Sequence, residues 1–274
     1  MFLRPELAGA QPLMVVGLPR CGTTFVTEAY NQHPEIALEF EIPHLVMDPA
    51  VDFLKAAAEH FRNRVRVMQN RNELRLERGQ SVFEETSSWE VHRFDLLYAM
   101  WGSLGTRATE TPPQGTIRWY GHKTPHHDRY WEFYRDFFGD RRPRYVFCMR
   151  SFVDNHLSRH AIRARPIRVS ASDYVEAVNR YADMKEALGD DVSLFILDDL
   201  PAGGIDYLRT TLFDNLGIEV DAATLASIDP GRRVWSSEER GTSARDLRDG
   251  EQEFLAEHPE LLTALDTLRA GKRI

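Results

Sequence analysis

Short apolar runs that stop at a glycine or a charged residue punctuate the chain, and stretches with helical spacing separate them. Residues 13–17 (LMVVG) are apolar up to a glycine, the pattern of a strand buried on both faces. Residues 23 to about 31 then carry helical spacing. A strand, a glycine-bounded turn and a helix make a phosphate cradle, because the helix start offers backbone N–H groups without intrahelical partners. Residues 144–149 (RYVFCM) and 192–197 (VSLFIL) predict two more core strands. Helices are predicted over 130–138, 172–188 and 205–216, the last ended by Gly217. Another is expected over 252–269, with a break at Pro259.

Two stretches read less regularly. Residues 60–78 carry Arg62, Arg64, Arg66, Arg71, Arg75 and Arg78 among apolar positions, which predicts a surface helix. Residues 89–120 hold Trp89, Trp101, Trp119 and Tyr120, and the Gly/Thr/Pro-rich piece 102–115 reads as a loop. These aromatics would line an aromatic or sugar pocket, or fill the core. A second core unit begins near Trp119.

Strands alternating with helices predict an α/β fold, a three-layer α/β/α arrangement around a central parallel sheet. Residues 1–274 are expected to form one domain, with a helical segment at about 250–270 packed on it. Ligands of such sheets bind beyond the carboxyl ends of the strands. The 17–24 turn and Arg150 each directly follow a predicted strand, so both should face one crevice.

Composition narrows the function classes. The chain of 274 residues is 42% hydrophobic and 28% charged, which fits a globular protein. No run of about 18 apolar residues exists, so no transmembrane segment is expected. Arg4 and Glu6 interrupt the N-terminal apolar residues, and a cytoplasmic location is the expectation. A net charge of −8 argues against nucleic-acid binding and makes any anion site a local cluster of arginine and lysine. Cys21 and Cys148, the two cysteines, both fall in segments that read as core sheet, which suggests a reducing compartment.

The candidate chemistry starts at Gly17-Leu18-Pro19-Arg20-Cys21-Gly22-Thr23-Thr24. Its spacing nearly matches the nucleotide-binding G-x-x-x-x-G-K-[ST] loop, but Thr23 stands where that loop has lysine. Nucleotide phosphotransferases use that lysine on the β- and γ-phosphates, so its absence disfavours them. The loop's cation stands three residues earlier, at Arg20. Gly22-Thr23-Thr24 would also serve as an ordinary helix start. Eight positions beyond Arg150 stands Ser158. An arginine at a strand end offers a planar fork for phosphate oxygens, and a nearby serine adds a neutral donor.

These residues resemble those of the PAPS-dependent sulfotransferases, PAPS being 3′-phosphoadenosine 5′-phosphosulfate. The loop looks like their PKSGTT or PRSGTT phosphosulfate loop, nearest the tyrosylprotein and many bacterial sulfotransferases, with Cys21 at the usual serine position. Arg150 and Ser158 resemble the family's 3′-phosphate pair. Gly121-His122-Lys123-Thr124-Pro125, Leu197-Asp198-Asp199-Leu200 and Asn215-Leu216-Gly217-Ile218 match further family segments. The resemblance implies a P-loop-like sulfotransferase fold. It implies transfer of a sulfuryl group from PAPS, leaving PAP, to a hydroxyl of a small metabolite, lipid or glycan. Arg20, Cys21, Gly22, Thr23, Thr24, Arg150 and Ser158 would bind the donor. Arg20 and Lys123 would stabilise charge on the leaving and transferring groups.

The resemblance makes Glu41 the preferred base, with two competitors. Glu41 lies 21 residues after Arg20, as in the tyrosylprotein branch, and His33-Pro34 between them also matches. Glu39 is the neighbouring competitor. A histidine near Lys123 is the other, because unperturbed imidazole titrates near neutrality. His122 and His126 have the spacing of helical metal ligands, but Pro125 breaks such a helix, and no metal is expected. Arg159, Arg163, Arg165 and Arg168 read either as a solvated helix face or as a rim over the donor phosphates. Arg240-Gly241 is a possible counterpart of the family's late basic loop. Two other readings are a P-loop nucleotide phosphotransferase and a non-catalytic PAP-binding protein.

Overall fold

Leu13, Met14, Val15 and Val16 are wholly buried, and the strand they belong to lies at the centre of the molecule. The computed structural model describes residues 7, 9–82, 88–105, 116–228 and 246–274. Arg4 and Glu6, most of the expected 102–115 loop and the Arg240-Gly241 pair lie outside the described residues. Five parallel strands form the sheet, in the order β2-β3-β1-β4-β5. They are β1 (Gln11–Gly17), β2 (Ile36–Phe40), β3 (Trp119–Lys123), β4 (Arg144–Met149) and β5 (Val192–Ile196). An unbroken run of buried residues is what a strand covered by helices on both faces requires.

Flanking the sheet are α1 (Thr23–Asn31), α2 (His44–Glu77), α3 (Ser88–Leu104), α4 (Trp131–Phe138) and α5 (Phe152–Arg163). Then come α6 (Ile167–Leu188), α7 (Leu200–Leu208), α8 (Ala222–Ser227), α9 (Asp249–Glu257) and α10 (Ala264–Arg269). The expected break at Pro259 separates the last two. This is the α/β fold with a central parallel sheet that the sequence predicts.

Several elements differ from expectation. β2 (IALEF) escapes the apolar-run criterion because Glu39 interrupts it; in the fold that side chain is buried, and Tyr120 Oη donates to Glu39 Oε1 at 3.0 Å. α2 begins at His44, well before residue 60. Only Met47, Val51 and Leu54 of it are buried, so its arginine-bearing half projects into solvent as a surface helix. α3 lies where no helix is predicted and takes in the start of the expected 102–115 loop: Leu97, Tyr98 and Trp101 are buried at helical spacing, Tyr98 and Trp101 pack on Tyr120, and Tyr98 and Tyr120 meet edge to face at 5.1 Å. Trp101, Trp119 and Tyr120 are therefore buried core residues, and the side chain of Trp89 lies outside those described. α6 starts at Ile167 because Pro166 sets its N-terminus. α7 is broken at Gly204 (φ 54°, ψ −141°), so the helix expected over 205–216 does begin at Ile205, and it ends in a π turn, Arg209–Phe213, and a 3-10 turn, Asp214–Leu216. Cys21 lies in the turn after β1 rather than in the sheet.

Register decides what reaches the carboxyl edge. Phe40 and Val15 both pair with Lys123, and Gly17 pairs with Cys148. The residues just beyond β1, β2 and β4 are the 18–24 turn, Glu41 and Arg150, and Lys123 ends β3. All of them gather at that edge.

Candidate active site

The cradle turn begins at Gly17, whose φ of 116° is open to glycine alone; a Cβ there would come within 2.2 Å of the Cys148 carbonyl oxygen. Arg20 follows in the left-handed region at φ 71°, and Gly22 at φ 86° is the N-cap of α1. No side chain caps that helix start. The first-turn N–H groups of a helix with no side-chain cap can receive an anion. Thr23 is buried, and Thr24 is half-buried beside it.

The turn is fastened from three sides. Arg20 Nε donates to Ser158 Oγ at 2.9 Å, joining the cradle to α5. Asn155 Nδ2 donates to the Pro19 carbonyl at 2.8 Å and to Cys21 Sγ at 3.2 Å. The His126 N–H donates to the Gly17 carbonyl at 2.9 Å, which brings the segment after β3 against the turn. Asn155 is a residue that the sequence reading missed. Its place three positions before Ser158, on the same helical face, is the signal that could have found it.

Cys21 turns its side chain into the core. Its side chain is wholly buried, and burial pushes its thiol up to about 12, although the Arg150 charge and backbone N–H oppose that shift. The thiol stays protonated and sits among core groups, so only the Cys21 backbone could face a ligand. Its sulfur accepts from Asn155, which ties the cradle to α5 where the family's serine would stand.

Arg150 leaves the end of β4 with its side chain 22% exposed. Its carbonyl accepts from Tyr174 Oη at 2.7 Å, which fixes the backbone. The guanidinium lies 3.8 Å from Asp154, too far for a direct hydrogen bond, and its Nε is buried without a hydrogen-bond partner. A buried donor left unmatched is costly, so this group suits an incoming anion. The Asp198 carboxyl lies nearby, bonded by the Ser151 N–H at 2.7 Å; burial raises its pKa, with the Arg150 charge opposing.

On the other side of β1, Lys123 Nζ donates to Glu41 Oε1 at 2.6 Å. The lysine side chain is 2% exposed and the glutamate 66%. Burial lowers the Lys123 pKa, and Glu41 works against that effect. Glu41 takes φ 30°, and its N–H donates to the Lys123 carbonyl at 2.8 Å, so the β2–β3 pairing continues for one residue and then turns out. Thr124 Oγ1 accepts from the Ile42 N–H at 3.0 Å.

The other base candidates are placed differently. Glu39 is buried, and its Cβ faces Gly105 at the end of α3. His122 is wholly buried between Thr124 Oγ1 and Tyr134 Oη, and burial lowers its pKa to about 3. His127 is lowered well below the ordinary value by burial, and neighbouring His122, His44, Arg129 and His126 lower it further.

The basic segment is neither wholly solvated nor free. Arg159 is buried, and its Nη2 lies 2.5 Å from Asp173 Oδ2. Arg165 pairs with the same carboxylate. Arg168 lies over the Phe254 ring at 5.2 Å, and Arg163 is exposed. Asp173 thus holds two of the four arginines against α6.

A model of the sulfotransferase family matches residues 12–193. No curated protein matches. Among solved structures, the mouse sulfotransferase SULT7A1 complexed with PAP is similar at a TM-score of 0.51 and 12% identity, over 98% of this chain and 88% of that one. The sulfotransferase domain of the Synechococcus PCC 7002 olefin synthase is similar at a TM-score of 0.48 and 16% identity, over 96% of this chain and 90% of that one. Sulfotransferase STF9 from Mycobacterium avium is similar at a TM-score of 0.46 and 16% identity, over 92% and 76%. Among the described residues no helix is long and apolar enough to cross a membrane.

Proposed function

The chain belongs to the sulfotransferase family, and from that membership we propose that it transfers a sulfuryl group from PAPS to a hydroxyl of a small metabolite, lipid or glycan. The observation that carries the choice of donor is the Arg20–Ser158 contact. It joins the 5′-side cradle to the helix that follows Arg150, so one ligand with phosphate at both ends would span them. The unmatched Arg150 Nε supports a 3′-phosphate there. The similar mouse protein is complexed with PAP.

In this reading the 18–24 turn holds the 5′-phosphosulfate through backbone N–H groups and the hydroxyls of Thr23 and Thr24. The acceptor oxygen attacks sulfur as the bond from sulfur to the bridging oxygen breaks. Its proton passes to Glu41. Negative charge moves to the 5′-phosphate of the departing PAP, where Arg20 offsets it, while Lys123 faces the transferring group. Glu41 is preferred over Glu39 because it is exposed beside Lys123, whereas Glu39 is packed under α3.

We read residues 1–274 as one domain. Phe254, Leu255, Leu261, Ala264 and Leu268 belong to the same hydrophobic core as β1 and β4, and the Ile274 N–H donates to Asn179 of α6 at 2.9 Å. The two unpaired buried thiols suit a reducing compartment, in our reading the cytoplasm.

Incubation with radiolabelled PAPS and a panel of hydroxyl acceptors tests the activity. Transfer of label to an acceptor is expected. Tight PAP binding with no acceptor labelled would favour a non-catalytic PAP-binding protein. A preference for ATP-Mg would favour a phosphotransferase.

A further inference from the structure

We propose that His156, His160 and Glu251 form a site for a divalent transition metal of the zinc class, which pins α9 to α5. The site goes beyond the sequence expectation of no metal, and it does not rest on the sulfuryl-transfer reading.

His156 and His160 are spaced i,i+4 on α5, so both rings project from one helical face, their centroids 5.7 Å apart. Glu251 comes from the first turn of α9. One ligand atom from each residue lies within 4.8 Å of the others. Two imidazoles and a carboxylate are the donor set of many zinc sites, whereas calcium and magnesium select oxygen alone.

The surroundings hold these ligands as metal sites do. A ligating histidine usually donates its other ring N–H to an oxygen, which fixes the tautomer. His160 Nδ1 lies 2.9 Å from the Arg165 carbonyl oxygen, and a carbonyl only accepts. The proton is therefore on Nδ1, and His160 Nε2 keeps its lone pair. His156 Nδ1 lies 3.1 Å from Ser170 Oγ, a hydroxyl that can accept or donate, while His156 Nε2 lies 3.1 Å from Glu251 Oε1. With a metal present, the His156 proton would sit on Nδ1 and bond Ser170, and Nε2 would take the ion in place of a proton. Glu251 is itself oriented, since its Oε2 accepts the Arg248 N–H at 2.9 Å. The His156 side chain is wholly buried and that of Glu251 is 12% exposed, so a bound ion would be well shielded.

The position gives the ion a structural consequence. Ser158 lies between the two histidines in sequence, on the helix that also carries Asn155 and Arg159. An ion at this site would hold α9 against the helix that fastens the cradle turn.

The test titrates chelator-stripped full-length protein with Zn²⁺ alone, by calorimetry, and with Co²⁺ by visible absorption. The wild type is expected to take up one equivalent and to show the bands of a low-coordinate cobalt site. Glu251→Gln keeps an acceptor for the Arg248 N–H, and His160→Gln replaces a half-buried ring, so neither should prevent folding. Both should lose the cobalt bands. Ser170→Ala, which removes only the oxygen behind His156, should weaken Zn²⁺ binding roughly 10–100-fold. No stoichiometric uptake by the wild type would overturn the proposal. So would uptake and cobalt bands unchanged in both His160→Gln and Glu251→Gln.

Discussion

Lys123 Nζ and Glu41 Oε1 meet at 2.6 Å across the β2–β3 boundary, one side chain almost fully buried and the other mostly in solvent. The contact follows from backbone register. Phe40 pairs with Lys123, and the next N–H still bonds the Lys123 carbonyl before the chain turns away. The carboxylate is thus held by a cation below it while its open side faces outward, as a group that takes a proton from an acceptor needs to be.

Glu41→Gln should lower turnover by roughly 10²–10⁴-fold, the usual contribution of a positioned base. PAP affinity should stay nearly intact, because glutamine keeps an oxygen for Lys123. Steady-state rates and calorimetry on the same preparation check both halves. A fully active variant would remove Glu41 from the mechanism.

Gly17→Ala should cost at least about 2 kcal/mol of stability, since it adds left-handed strain to a clash with backbone. The clash is with the Cys148 carbonyl on the neighbouring strand, which cannot rotate aside. Urea midpoints of the variant and the wild type measure the loss. An unchanged midpoint would show that the turn does not run against β4 as described.

Both thiols should be silent in the folded protein. Cys21 and Cys148 are wholly buried, and burial pushes both pKa values up, that of Cys21 to about 12. A thiol reagent at pH 8 should therefore count none in native buffer and two in denaturant, the chain's full number. Prompt labelling of one thiol in native buffer would contradict the burial of Cys21.

Stability should fall as pH drops below about 6.5, the ordinary histidine value. Burial lowers His122 to about 3 and lowers His127 well below its ordinary value. Between the folded and unfolded values the unfolded chain binds protons that the folded chain refuses. The stability is therefore complete above about pH 6.5 and is lost on acidification, with each such histidine contributing a slope of up to about 1.4 kcal/mol per pH unit. Urea midpoints at pH 7.5, 6 and 5 follow it. A flat profile across that range would show that these rings are not held neutral.

Much of this arrangement was legible in the sequence because its signals are local. β1, β4 and β5 are apolar runs, and the glycines at 17 and 22 bracket a turn between strand and helix. Spacing singled out Ser158 by its distance from Arg150 and Glu41 by its distance from Arg20, whereas the contacts they make are with Arg20 and Lys123. What escaped depends on partners far along the chain. β2 hides behind Glu39, a buried carboxyl that takes a hydrogen bond from Tyr120, 81 positions along the chain. Asn155 looks like a surface amide until Pro19 and Cys21 are seen above it. The basic run 159–168 looks solvated until Asp173 folds back on it. Glu251 stands 95 positions from His156, a pairing that no local pattern announces.

Binding of PAP, compared with its analogue lacking the 3′-phosphate, tests the donor assignment most directly. Calorimetry on the wild type and on Arg150→Ala is the measurement. The wild type should favour PAP by roughly 10–100-fold, the size of a charged hydrogen-bond contact worth about 1.5–3 kcal/mol. Arg150→Ala should erase that preference while leaving the analogue's affinity nearly unchanged. Equal affinity of the wild type for the two ligands, or tighter binding of ATP-Mg than of PAP, would contradict the account.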